Sequence, residues 1–146
     1  MKTFDIRTTA RDQMIDITGE ISGHLAASGV QDGSVTVWVP HTTAGVTINE
    51  NADPDVVHDM LKALNRAVPW QQDFYRHSEG NSSAHVKSSL MGCGLTVPVS
   101  GGQMVLGTWQ GIYFCEFDGP RDRHFLVRVT RQGGGGITDF KLQIAD

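Results

Sequence analysis

The apolar residues change their spacing twice along the chain, and that change limits the fold more than any other feature. Phe4 and Ile6 alternate with Asp5 and Arg7. Val35, Val37 and Val39 alternate with Thr36 and Trp38, and Phe125, Val127 and Val129 with Leu126 and Arg128. A period of two sends successive side chains to opposite faces, so these runs predict strands. Between them, Val57, Met60, Leu61, Leu64 and Val68 recur at helical spacing. Strands cluster at both ends with helices between, without one-for-one alternation, which argues against a doubly wound sheet. The expected class is α+β: one domain over residues 1–146, mostly antiparallel sheet or sandwich, with two main helices between the strand clusters.

Punctuation residues sharpen the boundaries. Asp53 reads as an N-cap with Pro54 at the first helical position, and Val68-Pro69 ends that helix. Asn81 or Ser82 is expected to cap a second helix carrying Ala84, Val86 and Leu90 and stopping at Gly92. A shorter helix is predicted after Thr18 as cap, with Gly29 as its left-handed stop. Further strands are predicted at Thr3–Thr8, Ser34–Val39, Val46–Glu50, Leu95–Val99, Gln103–Leu106, Gln110–Phe117 and His124–Arg131. A last strand from Ile137 to Ile144 follows the loop Gly133 to Gly136. No Lys-Ser/Thr follows those glycines, so they form a hairpin connection and not a phosphate-binding loop.

Composition removes several function classes. A net charge of −4 leaves no basic stripe, so neither nucleic acid nor an anionic membrane is expected as partner. No apolar run reaches membrane-spanning length, and the N-terminal residues do not resemble a signal peptide. Cys93 and Cys115 stand apart without a CxxC and are expected as two free thiols of a cytoplasmic protein.

Chemistry concentrates in two polar stretches. Arg76 to Lys87 holds two histidines, a carboxylate, a carboxamide and two cations, too polar for a core strand and too long for a plain connection. Pro40 to Gly45 interrupts an apolar strand pattern. His41, His77 and His85 are therefore expected to converge. Imidazole suits a zinc-type ion, and three protein ligands with one open position keep a metal reactive; a metal-free cluster that binds phosphate is the alternative. Glu50, next to Asn49, is placed as a general base or as the partner holding a histidine tautomer; favouring the N-terminus of the Asp53 helix is its other reading. Glu79 and Asn81 are expected to orient His77 or to satisfy loop amides. Lys87, Arg121 and Arg76 are the phosphate-contact candidates. His24 and His58 read as surface or hydrogen-bonded core residues and not as ligands, and His124 stays open between a site rim and that same reading. Trp109 reads as a core indole in preference to a stacking platform, and Cys115 as packing.

Four runs carry a resemblance that covers Phe4 to about Arg131. They are Val39 to Asp55 (with His41, Asn49, Glu50 and Asp53), Arg76 to Lys87, Gly107-Thr108-Trp109-Gln110-Gly111, and Glu116 to Arg121. Together they closely resemble the YjbQ-like family, whose members are described as secondary thiamine-phosphate synthase proteins. The resemblance implies a β-rich α+β fold assembled as a homotrimer, a metal or anion near clustered histidines, and a weak ability to join hydroxymethylpyrimidine diphosphate to thiazole phosphate. A small phosphorylated metabolite is the expected partner. Two other functions stay open: a metal-dependent hydrolase or lyase on such a metabolite, with Glu50 as base, and a non-catalytic trimeric module that binds a metal or anion.

Overall fold

The computed structural model describes residues 1–133. In chain order these form β1 (Lys2–Arg7), β2 (Gln13–Asp16), α1 (Thr18–Ser28), β3 (Gly33–Trp38), β4 (Ala44–Glu50), α2 (Pro54–Ala67), α3 (Ser82–Met91), β5 (Gly94–Ser100), β6 (Gln103–Met104), β7 (Gln110–Glu116) and β8 (Asp122–Arg131). The strand predicted from Ile137 to Ile144 lies outside the described residues. One sheet has the order β1-β8-β3-β5-β6 and the other β2-β7-β4, and every pairing is antiparallel. The α+β class is the one the residue periods predict. β2 was not among the predicted strands. Its four residues are too few to show a period, and it exists through its register with β7, Met14 opposite Cys115.

Alternation along β7 divides the interior in two. Ile112 and Phe114 point between the sheets, where they meet Val35, Val37, Phe125 and Val127 of the larger sheet and Ile21 and Leu25 of α1. Tyr113, Cys115 and Phe117 point the other way, against Ala84 of α3 and the apolar stripe Val57, Met60, Leu61 and Leu64 of α2. The smaller sheet is thus a middle layer, covered by a sheet on one face and by two helices on the other. Each fully buried aliphatic or phenyl side chain contributes about 1.5–3 kcal/mol, so β7, buried on both faces, is the central strand energetically. Burial pushes the Cys115 thiol up to about 12, which keeps it an inert packing group. Both cysteines are free thiols.

The helix ends follow local chemistry. Asp53 caps α2 by accepting from the Asp55 amide at 2.9 Å, with Pro54 at the start. For α1 the expectation is corrected. Thr18 is already helical, and Asp16 accepts from both its amide (2.9 Å) and its hydroxyl (2.6 Å). Gly29, at φ +71°, ends that helix as expected. None of the helices of the described residues is long and apolar enough to cross a membrane.

α3 packs closely over the start of β4. The Val46 amide donates to the Gly92 carbonyl at 3.0 Å, and the Ser88 hydroxyl donates to the Ala44 carbonyl at 2.7 Å. Gly45 permits this approach, because a Cβ there would lie 2.5 Å from the Gly92 carbonyl oxygen. Backbone cannot yield as a flexible side chain can, so Gly45→Ala is expected to cost about 1–3 kcal/mol. Urea denaturation measures this, and an unchanged midpoint would contradict it.

Two buried charged knots fix the layers. Glu116, wholly buried, accepts from Arg123 through Nε (2.9 Å) and Nη2 (2.5 Å), and from the Thr8 hydroxyl at 2.7 Å. Arg123 also donates to the Thr43 hydroxyl at 2.8 Å. The second knot is Lys87. Its ammonium is fully buried, bonded to Asp12 at 3.2 Å and to Asn65, with the Phe117 ring 6.0 Å away.

Candidate functional site

Two of the three expected imidazoles meet. His77 sits in a turn closed by the Gly80 amide donating to its carbonyl at 3.1 Å, and Gly80 takes the φ of +73° that this turn requires. The chain then enters α3 at its N-cap, Asn81, and His85 follows one helical turn later. The two rings lie edge to face with centroids 5.3 Å apart. His77 is exposed and His85 half-buried, so the pair opens to solvent.

Beside the pair runs a polar relay. The Asn81 amide nitrogen donates to Asp118 Oδ2 at 2.8 Å. Arg121 donates to the same oxygen through Nη2 and to the Asp118 carbonyl through Nε, both at 2.8 Å. The hydrogen bond and charge of Asp118 raise the pKa of the Arg121 guanidinium, and Glu79 is close enough to add to the effect. Asp118 therefore links Arg121 to the N-cap residue of α3.

The third imidazole lies elsewhere. His41 packs edge-on against Phe114, on the inter-sheet face of β7, whereas α3 covers the opposite face. Its ring stands 4.8 Å from that of His124, and Nε2 lies 3.1 Å from the His124 amide and 3.0 Å from its carbonyl oxygen. Among the described residues no three His, Cys, Asp or Glu side chains gather as a metal would require. The convergence of His41, His77 and His85 within one chain is thus corrected to two separate pairs, His77 with His85 and His41 with His124. The middle sheet separates them.

His41 should make the fold acid-sensitive. Burial, followed by the Arg123 charge, lowers its pKa from the usual 6.5. The unfolded chain then takes up its proton at higher pH than the folded one. Stability from this group is complete above about 6.5 and declines as pH falls from there toward the folded value. Urea midpoints at pH 7.5 and 5.5 are expected to show this fall, and His41→Gln should flatten it. A midpoint that does not move between these pH values would contradict the assignment.

Other candidates are dispersed. Asn49 and Glu50 end β4, opposite Gly111 and Gln110, about 20 Å of strand from Ala44, where α3 docks. Asn49 Oδ1 accepts from the Glu50 amide at 2.8 Å, and the Glu50 carbonyl accepts from the Tyr113 hydroxyl at 3.0 Å. Their expected place beside the histidines is therefore not found within one chain. Lys87 is buried on Asp12 and Asn65, which corrects its reading as a phosphate contact. Arg76 is exposed. Trp109, expected in the core, is 62% exposed in the turn before β7. Arg123, Thr8 and Asp12 were missed, since their partners lie far along the chain and no local pattern marks them.

The donor set bears on the metal expected near the histidines. A three-imidazole site does not fit one chain. Two imidazoles that open to solvent, with the unpartnered side-chain oxygen of Asn81 one helical turn before His85, are donors that fit a divalent ion.

Comparison with known proteins follows the same geometry. The family model described as UPF0047 protein YjbQ-like matches residues 2–132. The UPF0047 protein YugU of Bacillus subtilis is 53% identical over 129 residues, covering 88% of this chain and 98% of its own length. UPF0047 protein MJ1081 of Methanocaldococcus jannaschii is 51% identical, covering 86% of this chain and 91% of its own. An uncharacterised YjbQ/UPF0047 family protein of Clostridium acetobutylicum, solved by crystallography, superposes with a TM-score of 0.87 at 51% identity, covering 89% of this chain and all of that one.

Proposed function

As the chain belongs to the UPF0047, YjbQ-like family, we propose that it is a transferase on small phosphorylated metabolites, joining hydroxymethylpyrimidine diphosphate to thiazole phosphate at the His77–His85 pair. The observation that carries this reading is the placement of that pair and the Arg121–Asp118–Asn81 relay at the N-terminus of α3. Such a transfer needs the departing diphosphate charge to be stabilised and the two substrates aligned. A helix N-terminus attracts phosphate oxygens through its free amides. Arg121, held in place by Asp118, and the exposed Arg76 supply positive charge from both flanks. A divalent ion such as zinc, when held by His77 and His85, would supply further positive charge to the phosphate oxygens. The imidazoles hold and orient, and the half-buried setting of His85 limits water at that side of the pair.

Assembly completes the proposal. Val86 (42% exposed) and Leu90 (65% exposed) form an apolar strip on α3 immediately beside His85. We propose a cytoplasmic homotrimer in which this strip is covered by a neighbouring copy. Asn49 and Glu50, remote from the imidazole pair in their own chain, can reach a pair only across such a boundary. Light scattering is expected to return three times the 15.9 kDa chain mass.

The activity is tested with pure protein and the two precursors. Thiamine phosphate should form, and His77→Ala should abolish it. Tight binding of the precursors without turnover would leave a binding module in place of the transferase.

A further inference from the structure

Asn81 has a use that capping and packing do not account for. It is 5% exposed, and its side-chain oxygen is buried without any hydrogen-bond partner. An asparagine at a helix N-cap ordinarily turns that oxygen onto an amide of the first turn. Here α3 has no side-chain cap bond. The cause lies at the other end of the carboxamide. Asp118 can only accept, so the Asn81 NH2 must face it, and this fixes which branch carries the oxygen. Arg121 in turn pins Asp118 by two hydrogen bonds. The relay thus withholds the oxygen from the helix and keeps it as a buried, unpartnered acceptor.

Its place in the helix sets it on the side of the histidine pair. Asn81 and His85 are four residues apart and share one face at the helix start. His77 is one tight turn upstream and touches His85. Neither imidazole has a hydrogen-bond partner among the described residues, so both offer ring nitrogens. Imidazole nitrogens suit zinc, and a carboxamide oxygen adds a neutral oxygen donor of the kind that divalent cations accept.

We infer that Asn81 is the third protein donor of a divalent-cation site with His77 and His85, and that Asp118 and Arg121 are positioning residues that aim its carbonyl oxygen. This inference rests on the reading of the His77–His85 pair given above. It assigns the oxygen to the cation itself and not to the orientation of His77.

Zinc chloride titrated into the full-length protein, stripped of metal, tests it by calorimetry and by NMR of labelled side chains. One zinc per chain is expected, with the His77 and His85 imidazole resonances and the Asn81 carboxamide carbon moving at the same stoichiometry. Asn81→Ala should weaken zinc at least about tenfold, and Asp118→Ala should do so by freeing the carboxamide to rotate onto the helix. Imidazole shifts with a silent Asn81 carbon and unchanged affinity in Asn81→Ala would overturn the inference while leaving the histidine pair as a metal site. No response from either would overturn both. The wild-type carboxamide signal decides the matter even if a variant fails to fold.

Discussion

Arg123→Ala is expected to destabilise the fold by about 3–5 kcal/mol, the usual cost of removing one partner from a buried ion pair. Glu116 would remain between the sheets with only the Thr8 hydroxyl and the amides of Phe117 and Asp118 to hold its charge. Thr43 would lose its guanidinium donor as well. The double variant Glu116→Leu with Arg123→Met should recover most of the loss, because it removes both charges and keeps apolar volume. The pH dependence has its own sign. Burial alone would raise the Glu116 pKa, but the hydrogen bonds of Arg123, the Asp118 amide and Thr8 outweigh it and the net shift is downward. Stability from this carboxylate is therefore present above its ordinary value of 4.5 and is lost as pH falls through the lower folded value. Guanidinium denaturation of the three proteins measures the differences. A loss below about 1 kcal/mol for Arg123→Ala would show the pair to be solvated, contrary to its burial.

The same knot shows where sequence reading stops. Periods of two and of 3.6 located Val35, Val37, Phe125 and Val127 in the core and gave α2 its cap and its apolar stripe, because those signals are local. The pairing of His77 with His85 was also legible, since a loop turn followed by one helical turn brings them together with little help from the rest of the fold. His41 was not. Whether a residue at the end of one strand faces the sheet interior or the helical layer depends on how the sheets stack, and only the alternation of Phe114 and Cys115 across β7 decides it. Thr8 to Glu116 spans 108 residues and Lys87 to Asp12 spans 75, so no window of sequence contains either partnership. Trp109 was misplaced for a related reason. Its neighbours Gly107 and Gln110 form a turn, the Gly107 amide donating to Gln110 Oε1 at 2.7 Å, and the indole is turned outward.

Lys87 offers the sharpest separation between a binding and a structural role. Its segment reads as a phosphate site, yet the ammonium is enclosed between α3, α2 and the β1–β2 connection, bonded to Asn65 and Asp12. An ammonium is a compact, strongly hydrated charge, and leaving water without such partners would cost several kcal/mol. Lys87→Met, which retains the stem and removes the charge, takes from Asp12 its buried cation and leaves it only the exposed Arg11, whose Nε lies 3.4 Å from Oδ2. A loss of about 3 kcal/mol is expected, lowering the melting temperature by on the order of 10 °C. Asp12→Asn should lose less, since the amide oxygen can still accept from the ammonium. The double variant should show non-additivity, the sign of two groups acting as one. Affinity for inorganic phosphate, measured by calorimetry on the folded variant well below its melting temperature, should stay within about twofold. A phosphate ligand held by Lys87 itself predicts the reverse, a large loss of phosphate affinity with an unchanged melting temperature. That result would require the ammonium to leave Asp12 and Asn65 when ligand arrives.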